Sequence, residues 1–203
     1  SHGFRRFEVL TTGQPLTDAA RVRELVGRGV QGVALPLFST EPGVHDAITR
    51  TPGSHRDTLV AIDRLRAAGA DIHVHANLLQ QNLDDAGALE RLVRDELGLP
   101  FCLIPVRPKD ANLPYDRLVP RYAAMVEGLD VSTLVAFPLC VSGQIQDPAL
   151  APAVFIADVL KVYVLDQPFI KPAPCVACSL RARCAGTFQA YVDLYGTDEL
   201  QPA

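Results

Sequence analysis

Residues 31–38 (QGVALPLF) form a short segment that is apolar along almost its whole length. This pattern predicts a β-strand covered on both faces, which is the usual condition of a strand in a parallel sheet. Further short apolar segments, predicted to be strands, occur at residues 7–11, 71–79, 101–106 and 132–139. Helical spacing of apolar residues, with capping and terminating residues, predicts helices over 18–28, 56–68, 84–97 and 118–129, and a final short helix within 187–195. Residues 39–54 are predicted to form a loop. Alternating strands and helices predict right-handed βαβ units and an α/β fold.

Composition and charge narrow the class of protein. The 203 residues are 48% hydrophobic and 21% charged, which is close to the average for globular proteins. The net charge is −4 and the basic residues are scattered, which argues against a nucleic-acid partner. No apolar run is long enough to span a membrane, and the first residues lack the layout of a signal peptide. We therefore expect a soluble, cytoplasmic protein without a nucleic-acid or membrane partner.

The cysteines indicate a metal centre. Three of the five, Cys175, Cys178 and Cys184, lie within ten residues, and Cys140 follows the predicted strand at 132–139. Four thiolates satisfy either a tetrahedral zinc ion or a four-iron cluster, and spacing alone does not choose between them. A structural zinc knuckle usually shows two close pairs of cysteines, whereas this chain has one. Cys140 has the alternative of a packed core position, and Cys102 is assigned to the core.

The residues after the cysteines are more specific than the cysteines alone. Cys184-Ala-Gly186 is followed by Tyr191-x3-Tyr195-Gly196-x2-Glu199-Leu200. This tail resembles the C-terminal segment of radical S-adenosylmethionine (SAM) enzymes that hold an auxiliary iron–sulfur cluster. The resemblance implies an auxiliary 4Fe-4S cluster, with zinc as the alternative occupant, and its ligands would be Cys140, Cys175, Cys178 and Cys184.

The resemblance extends over most of the chain. Residues 7–13 (FEVLTTG) are similar to the third strand of a radical SAM barrel and its turn, with Thr12 in place of the usual asparagine. Residues 39–46 (STEPGVHD), with the Gly-Ser that follows at 53–54, resemble the segment after strand four. Residues 74–82 resemble strand five and its trailing asparagine, and 101–108 resemble strand six. The implied fold is an incomplete parallel (β/α) barrel over 1–139, beginning at strand three, with a Cys-rich cluster-binding extension over 140–203.

The resemblance also implies residues that bind SAM. Thr12 and Gly13 would lie near SAM, Ser39 would bond its ribose or carboxylate, and Asn82 would contact the adenosine. Each follows a predicted parallel strand, and ligands bind at the carboxyl ends of such strands. The alternatives are local: a turn at Thr12-Gly13, a helix or turn cap at Ser39, and the N-terminal cap region of a helix at Asn82.

Other polar residues give weaker signals. Four histidines suggest a second metal site, but no third nearby ligand converges with them in the sequence: His45, His55, His73 and His75. Arg107 and Lys109 follow a predicted strand, where they would contact an anionic group or simply face solvent.

The chain also departs from the family in its missing N-terminal motifs. Radical SAM enzymes open with Cys-x3-Cys-x2-Cys, which binds the cluster that cleaves SAM, whereas no cysteine precedes Cys102 here. We expect either the C-terminal part of such an enzyme or a naturally short relative, and we expect this chain alone to be inactive in radical chemistry. The implied partners are a peptide or small-molecule substrate and an electron donor such as ferredoxin or flavodoxin.

Two other functions compete with this interpretation. A non-catalytic, truncated relative would keep a zinc or iron–sulfur site on four cysteines as a structural or electron-transfer module. A metal-dependent or Schiff-base aldolase is disfavoured because five predicted strands are too few for its complete barrel, and because no lysine lies inside a predicted strand.

Overall fold

The computed structural model describes residues 6–106, 114–143 and 169–203. These residues form two compact units, one made of Ser1–Ala76 and Asp84–Phe101 and the other of Asn77–Leu83 and Cys102–Ala203. The division predicted at residue 139 stays a prediction, and Arg107 and Lys109 lie outside the described residues. Within the described ranges, no helix is both long and apolar enough to cross a bilayer.

A four-stranded parallel sheet forms the centre of the fold, as the alternation of strands and helices predicts. Its strands are hydrogen-bonded in the order β1 (Phe7–Leu10), β2 (Val30–Pro36), β3 (Asp71–Leu78) and β4 (Phe101–Pro105). In this register Val33 of β2 lies between Val9 of β1 and Ile72 of β3. Residues 33–35 of β2 are completely buried, which is the reason for the continuous apolar run of 31–38.

Four helices pack within the first unit. They are α1 (Ala19–Gly27), α2 (Pro42–Thr49), α3 (Ser54–Ala67) and α4 (Ala86–Arg91), the last continuing as a π-helical segment over Leu92–Glu96. Helix α1 begins at Asp18, whose carboxylate accepts a hydrogen bond of 2.8 Å from the Ala20 amide. The apolar residues at helical spacing are buried as predicted, including Val22, Ile62, Leu65, Leu89 and Val93.

The prediction of a loop over 39–54 is wrong, because this segment contains helix α2. Pro42 stands at the first helical position, where its missing N–H costs no helical hydrogen bond. His45 of α2 is buried, and the helix ends at Arg50, which has a left-handed backbone (φ 56°). Pro42 and Gly43 are therefore the start of a short helix.

Asp46 in α2 fixes the beginning of α3. Its carboxylate accepts hydrogen bonds from the Gly53 amide at 2.5 Å, the Ser54 hydroxyl at 3.0 Å and the His55 amide at 2.9 Å. These bonds, led by the one from the His55 amide, lower the pKa of Asp46. The His-Asp and Gly-Ser elements of this segment thus form one local capping network.

The second unit contains short elements. They are α5 (Tyr115–Leu118), α6 (Tyr122–Val126), α7 (Leu139–Ser142), the antiparallel pair β5 (Phe169–Ile170) and β6 (Thr187–Phe188), and α8 (Gln189–Tyr195). The prediction of one helix over 118–129 is wrong, because the chain is extended at Val119 (ψ 124°), directly before Pro120. A residue before proline avoids the helical conformation, so the segment divides into two short helices.

The fifth strand predicted over 132–139 is also wrong. Only one residue of it, Leu134, makes a parallel bridge, to Leu103. The segment before that bridge is a 3-10 turn over Val131–Thr133, whose start is capped by the Asp130 carboxylate through a 2.9 Å bond from the Ser132 amide. Helix α7 begins directly after Pro138, so Cys140 lies in a helix and not at the end of a strand.

The tyrosines and the glutamate of the tail have a structural role within the second unit. The Tyr191 ring stacks on Tyr122 with centroids 3.8 Å apart, and its hydroxyl accepts a 2.7 Å bond from the Tyr122 amide and donates to Glu199. Glu199 also accepts a 2.8 Å bond from the Ala123 amide, and the Tyr195 hydroxyl donates to the Val119 carbonyl at 2.8 Å. The tail is therefore held against α6 and Val119 by ring stacking and hydrogen bonds.

We predict that Gly13→Ala destabilises the first unit. A Cβ at Gly13 would lie 2.4 Å from Cα of Thr58, which is backbone of α3 and has no freedom to move alone. Overpacking of this kind costs about 1–3 kcal/mol. Urea denaturation followed by circular dichroism measures the loss.

The matched control is Gly27→Ala at the end of α1, where a Cβ meets no heavy atom within 4 Å. Alanine is the better helix former, so this variant should be as stable as the parent or up to about 1 kcal/mol more stable. Equal stability of Gly13→Ala and Gly27→Ala would contradict the close packing of Gly13 on α3.

Candidate functional site

Four cysteines of the second unit line one cavity. They are Cys140, Cys175, Cys178 and Cys184, the four predicted ligands. The Cys140 thiol has a pKa raised by burial and by the neighbouring charges of Cys184 and Cys178. Burial, followed by the charges of Cys140, Cys184 and Cys178, likewise raises the pKa of Cys175. All four sulfur atoms therefore lie within electrostatic reach of one another, although Cys140 is distant from the other three in sequence.

Local turns set the positions of the three clustered cysteines. Cys175 lies in a 3-10 turn over Ala173–Ala177, and the Cys178 amide closes that turn with a 3.3 Å bond to the Cys175 carbonyl. A further turn ends at Cys184, whose amide donates to the Leu180 carbonyl at 3.0 Å. The Cys-x2-Cys spacing thus places Cys175 and Cys178 at the two ends of one hydrogen-bonded turn.

Backbone amides point at two of the sulfur atoms. The Cys184 sulfur accepts hydrogen bonds from the Leu139 amide at 3.5 Å and the Gly186 amide at 3.4 Å. The Gln201 amide donates to the Cys140 thiol, which opposes the increase in its pKa. Amide donors of this kind stabilise thiolate ligands and tune the potential of iron–sulfur clusters. The arrangement fits the chemistry of a cluster held by thiolates.

Gly186 allows the Cys184 turn to lie close to β5. Its backbone has φ 97°, and a Cβ there would lie 2.1 Å from the carbonyl oxygen of Ile170. In the β5–β6 pair, Ile170 lies opposite Thr187, the residue after this glycine. Position 186 therefore requires a glycine for two reasons. Its backbone has a positive φ, and the Ile170 carbonyl leaves no space for a side chain.

The four thiols line a common cavity. Among the described residues, no group of three or more His, Cys, Asp or Glu side chains is arranged to hold a metal ion. A tetrahedral zinc ion would need all four sulfur atoms at about 2.3 Å from one centre.

Two cations line the same cavity, and sequence reasoning missed them. The Lys171 ammonium donates to the Arg181 carbonyl at 2.5 Å, and the Arg181 guanidinium donates to the Cys175 carbonyl at 3.3 Å. The available signal was the composition of residues 169–186, which contain three basic residues and no acidic one. These two side chains place positive charge beside the thiols.

Thr12 and Gly13 directly follow β1. Thr12 is exposed, and its carbonyl accepts a 3.2 Å bond from the Thr11 hydroxyl. Gly13 is buried against Thr58 of α3, and it has an ordinary right-handed backbone (φ −64°). The packing against α3 is sufficient to explain the glycine, so its proposed role near SAM rests on the resemblance alone.

Ser39 follows β2 and is completely buried. Its hydroxyl donates to the Asp85 carboxylate at 2.6 Å and accepts a 3.0 Å bond from the Glu41 amide. Asp85 also accepts 2.6 Å bonds from the Thr40 amide and hydroxyl. The side chain of Ser39 is thus engaged at the beginning of α2, which matches the capping alternative.

Asn82 belongs to the second unit and closes its own loop. Its side-chain oxygen accepts a 2.8 Å bond from the Leu79 amide, and its side-chain nitrogen donates to the Asn77 carbonyl at 3.0 Å. The residue is 2% exposed. This geometry stabilises the turn after β3, and it differs from the predicted alternative of a helix cap.

Two histidines of the first unit form a buried pair. The His45 and His55 rings are 5.5 Å apart, and Nδ1 of His45 accepts a 3.1 Å bond from the Phe38 amide. Burial, with the neighbouring His55, lowers the pKa of His45 to about 4. His45 therefore serves as a neutral acceptor for the backbone at the end of β2.

We predict that this histidine makes stability depend on pH. The unfolded state binds a proton on His45 below about pH 6.5, whereas the folded state does so only near pH 4. The contribution of His45 to the free energy of unfolding is therefore complete above pH 6.5. It is lost as the pH decreases to 4, and the loss is up to about 3 kcal/mol. Urea denaturation at pH 7.5, 6, 5 and 4 measures the decrease.

His45→Asn is the matched variant, because its side-chain oxygen can accept the same backbone bond without titrating. Its stability should change less between pH 6.5 and 4 than that of the parent protein. Parallel curves for the two proteins would show that His45 is not protonated on unfolding.

Comparison with protein-family models and with curated protein sequences gives no match.

Proposed function

We propose that this chain binds an auxiliary 4Fe-4S cluster through Cys140, Cys175, Cys178 and Cys184 and forms part of a radical SAM enzyme. In such an enzyme, the cluster supplies one-electron chemistry or a binding site for substrate. By the resemblance, the strands would belong to an incomplete (β/α) barrel that forms one wall of the site for SAM and a peptide or small-molecule substrate.

The observation that carries the proposal is the cavity lined by all four cysteines. Cys140 comes from α7 and the other three from the segment after β5, so only the fold brings them together. A packed core cysteine has no need of this arrangement, as Cys102 illustrates. Cys102 is completely buried among Ile104, Val135 and Ala136, and burial raises the pKa of its thiol to about 12.

Hydrogen bonds and charges around the thiols support an iron–sulfur cluster. Backbone amides donate to the sulfur atoms of Cys184 and Cys140, as is common around clusters. Lys171 and Arg181 supply positive charge that offsets the charge of four thiolates.

A second candidate function is a cluster or zinc module without SAM chemistry. It is favoured by the polar side chains on the implied SAM side, which are engaged inside the protein. Ser39 bonds to Asp85, and Asn82 bonds to its own loop. For a SAM role, the ligand would have to replace these hydrogen bonds or use the adjacent backbone.

Electron paramagnetic resonance tests the cluster. The chain is purified and reconstituted without oxygen, reduced with dithionite and frozen. We expect the signal of a reduced 4Fe-4S cluster, which a zinc protein does not give. A diamagnetic, colourless protein containing zinc would overturn the proposal and leave the structural module.

The coding sequence upstream of residue 1 separates the two candidate functions. An open reading frame that continues upstream and encodes Cys-x3-Cys-x2-Cys would support the radical SAM assignment. A reading frame without that motif would support the non-catalytic module.

A further inference from the structure

Two buried hydroxyl groups are in contact beside the cysteine cavity. The Tyr122 hydroxyl of α6 and the Thr187 hydroxyl of β6 are 2.9 Å apart. Both residues are 1% exposed, and Thr187 is one of the residues that line the cavity. Thr187 directly follows Gly186, whose amide donates to the Cys184 sulfur at 3.4 Å. The ligand set alone gives this hydroxyl pair no role.

The Tyr122 hydroxyl is the donor in this contact. Burial raises the pKa of Tyr122 to about 12, so the phenol keeps its proton at neutral pH. A buried hydroxyl proton needs an acceptor, because leaving such a group unpaired costs about 1–3 kcal/mol. Among the described residues, Thr187 is the one that forms a hydrogen bond with this hydroxyl. The proton of Tyr122 therefore points at the Thr187 oxygen.

The Thr187 hydroxyl consequently has its own proton left to donate. A threonine hydroxyl carries one proton and two lone pairs, and Tyr122 occupies a lone pair. Within the part of the chain that the structure describes, this hydroxyl makes no second hydrogen bond. Sulfur atoms lie close to it, because the charges of Cys140 and Cys184, after burial and the charge of Glu199, help to raise the pKa of Tyr122.

We propose that the Thr187 hydroxyl, oriented by Tyr122, donates a hydrogen bond to a sulfur atom of the bound cluster and raises the reduction potential of that cluster. This inference rests on the proposed function, since it needs the cluster in the cavity. Reduction adds one negative charge to the cluster, and a hydrogen-bond donor stabilises the more negative state more strongly. Thr187 thus tunes the cluster, and Tyr122 is a positioning residue that acts through Thr187.

Three substitutions at threonines isolate the hydroxyl. Thr187→Val replaces the hydroxyl by a methyl group of similar size, and Thr187→Ser keeps the hydroxyl. Thr133→Val is the matched control, because Thr133 is a buried threonine of the same unit that does not line the cavity. Its hydroxyl donates to the Asp130 carbonyl at 2.7 Å. Each protein is reconstituted without oxygen, and its iron per chain is measured first.

An anaerobic redox titration gives the ratio of reduced to oxidised cluster at each solution potential. We expect this ratio, at a fixed potential, to be about threefold lower or less in Thr187→Val than in the parent protein. A threefold change corresponds to a potential about 28 mV lower, at 59 mV per tenfold for one electron. Thr187→Ser and Thr133→Val should titrate close to the parent, because both keep a hydroxyl at position 187.

Tyr122→Phe tests the positioning role. It keeps the ring that stacks on Tyr191 and removes the proton that orients Thr187. The reduction potential should fall in this variant, but by less than in Thr187→Val. Tyr122→Phe combined with Thr187→Val should have the potential of Thr187→Val alone, because Tyr122 acts through Thr187 and the two effects do not add.

Three results would overturn the inference. The first is a Thr187→Val protein with full iron content and the potential of the parent. The second is an equal shift in Thr133→Val, which would show a general effect of losing a buried hydroxyl. The third is a Thr187→Ser protein that shifts as far as Thr187→Val.

Iron analysis distinguishes the remaining outcomes. If Thr187→Val binds no iron, Tyr122→Phe decides the question: a lowered potential supports the inference, and the potential of the parent overturns it. A parent protein that binds no iron would overturn the proposed function itself, and its iron content identifies that failure before any titration.

Discussion

Cys178→Ala should lose most of the iron that the reconstituted parent protein binds. The thiol of Cys178 lines the cavity with the other three cysteines, so its removal leaves three thiolates for a centre that needs four. Loss of an outer hydrogen-bonding partner already weakens metal binding about 10–100-fold, and loss of a ligand should weaken it further. Iron and sulfide analysis after desalting measures the loss.

Cys102→Ala is the matched control for this variant. Cys102 is buried in β4, where it packs against Ile104 and Val135. Its replacement should leave iron content unchanged and lower stability by about 1 kcal/mol, as for the loss of a small buried group. Full iron content in Cys178→Ala would refute the ligand set. Loss of iron in Cys102→Ala would show that the fourth ligand is wrongly assigned.

Gly186→Ala should disrupt the cysteine site without removing a ligand. The new Cβ would lie 2.1 Å from the Ile170 carbonyl oxygen, and the backbone at φ 97° is strained for any other residue. The β5–β6 pair would have to separate, which moves Cys184 away from the cavity. We expect the second unit to lose about 4 kcal/mol or more, and reconstitution to yield little iron. Urea denaturation and iron analysis measure both effects.

Gly128→Ala is the control that separates the effect of backbone strain from the effect of close packing in Gly186→Ala. Gly128 also has a positive φ (71°), but a Cβ there meets no heavy atom within 4 Å. This variant should lose only about 1–2 kcal/mol and bind iron normally. If Gly186→Ala behaved like Gly128→Ala, the close approach of the Cys184 turn to β5 would not be a requirement of the site.

The central sheet was predictable because its signal is local. The run at 31–38 and the apolar residues of 71–79 are buried strands in the structure, and Asp18 caps α1 as its position predicts. These features depend on residues that are neighbours in sequence, and burial on both faces leaves a continuous apolar pattern.

The wrong predictions of secondary structure occur where one local sequence pattern is compatible with more than one structure. The segment 39–54 was predicted to be a loop, but its proline is suited to the first turn of a helix, and α2 begins at Pro42. The apolar run after Ser132 suggested a strand, although Asp130 and Pro138 limit that segment to a turn and a helix start. In both segments, capping and packing determine the secondary structure, and local propensity does not.

The grouping of the clustered cysteines was predictable from the sequence, whereas the surroundings of the candidate site were less so. The spacing of Cys175, Cys178 and Cys184 indicated a metal centre, whereas the place of Cys140 at the same cavity depends on how α7 packs in the second unit. The contact of Gly186 with Ile170 depends on backbone atoms from distant residues, which no residue-type pattern records. The same holds for Lys171 and Arg181, whose positions follow from the turns around them.

The most direct test of the account is the count of iron, acid-labile sulfide and zinc per chain after anaerobic reconstitution of the parent protein. The account predicts about four irons with matching sulfide and no zinc, together with the loss of both iron and sulfide in Cys178→Ala. One zinc per chain without sulfide would contradict the cluster assignment, and the four cysteines would then hold a structural metal ion.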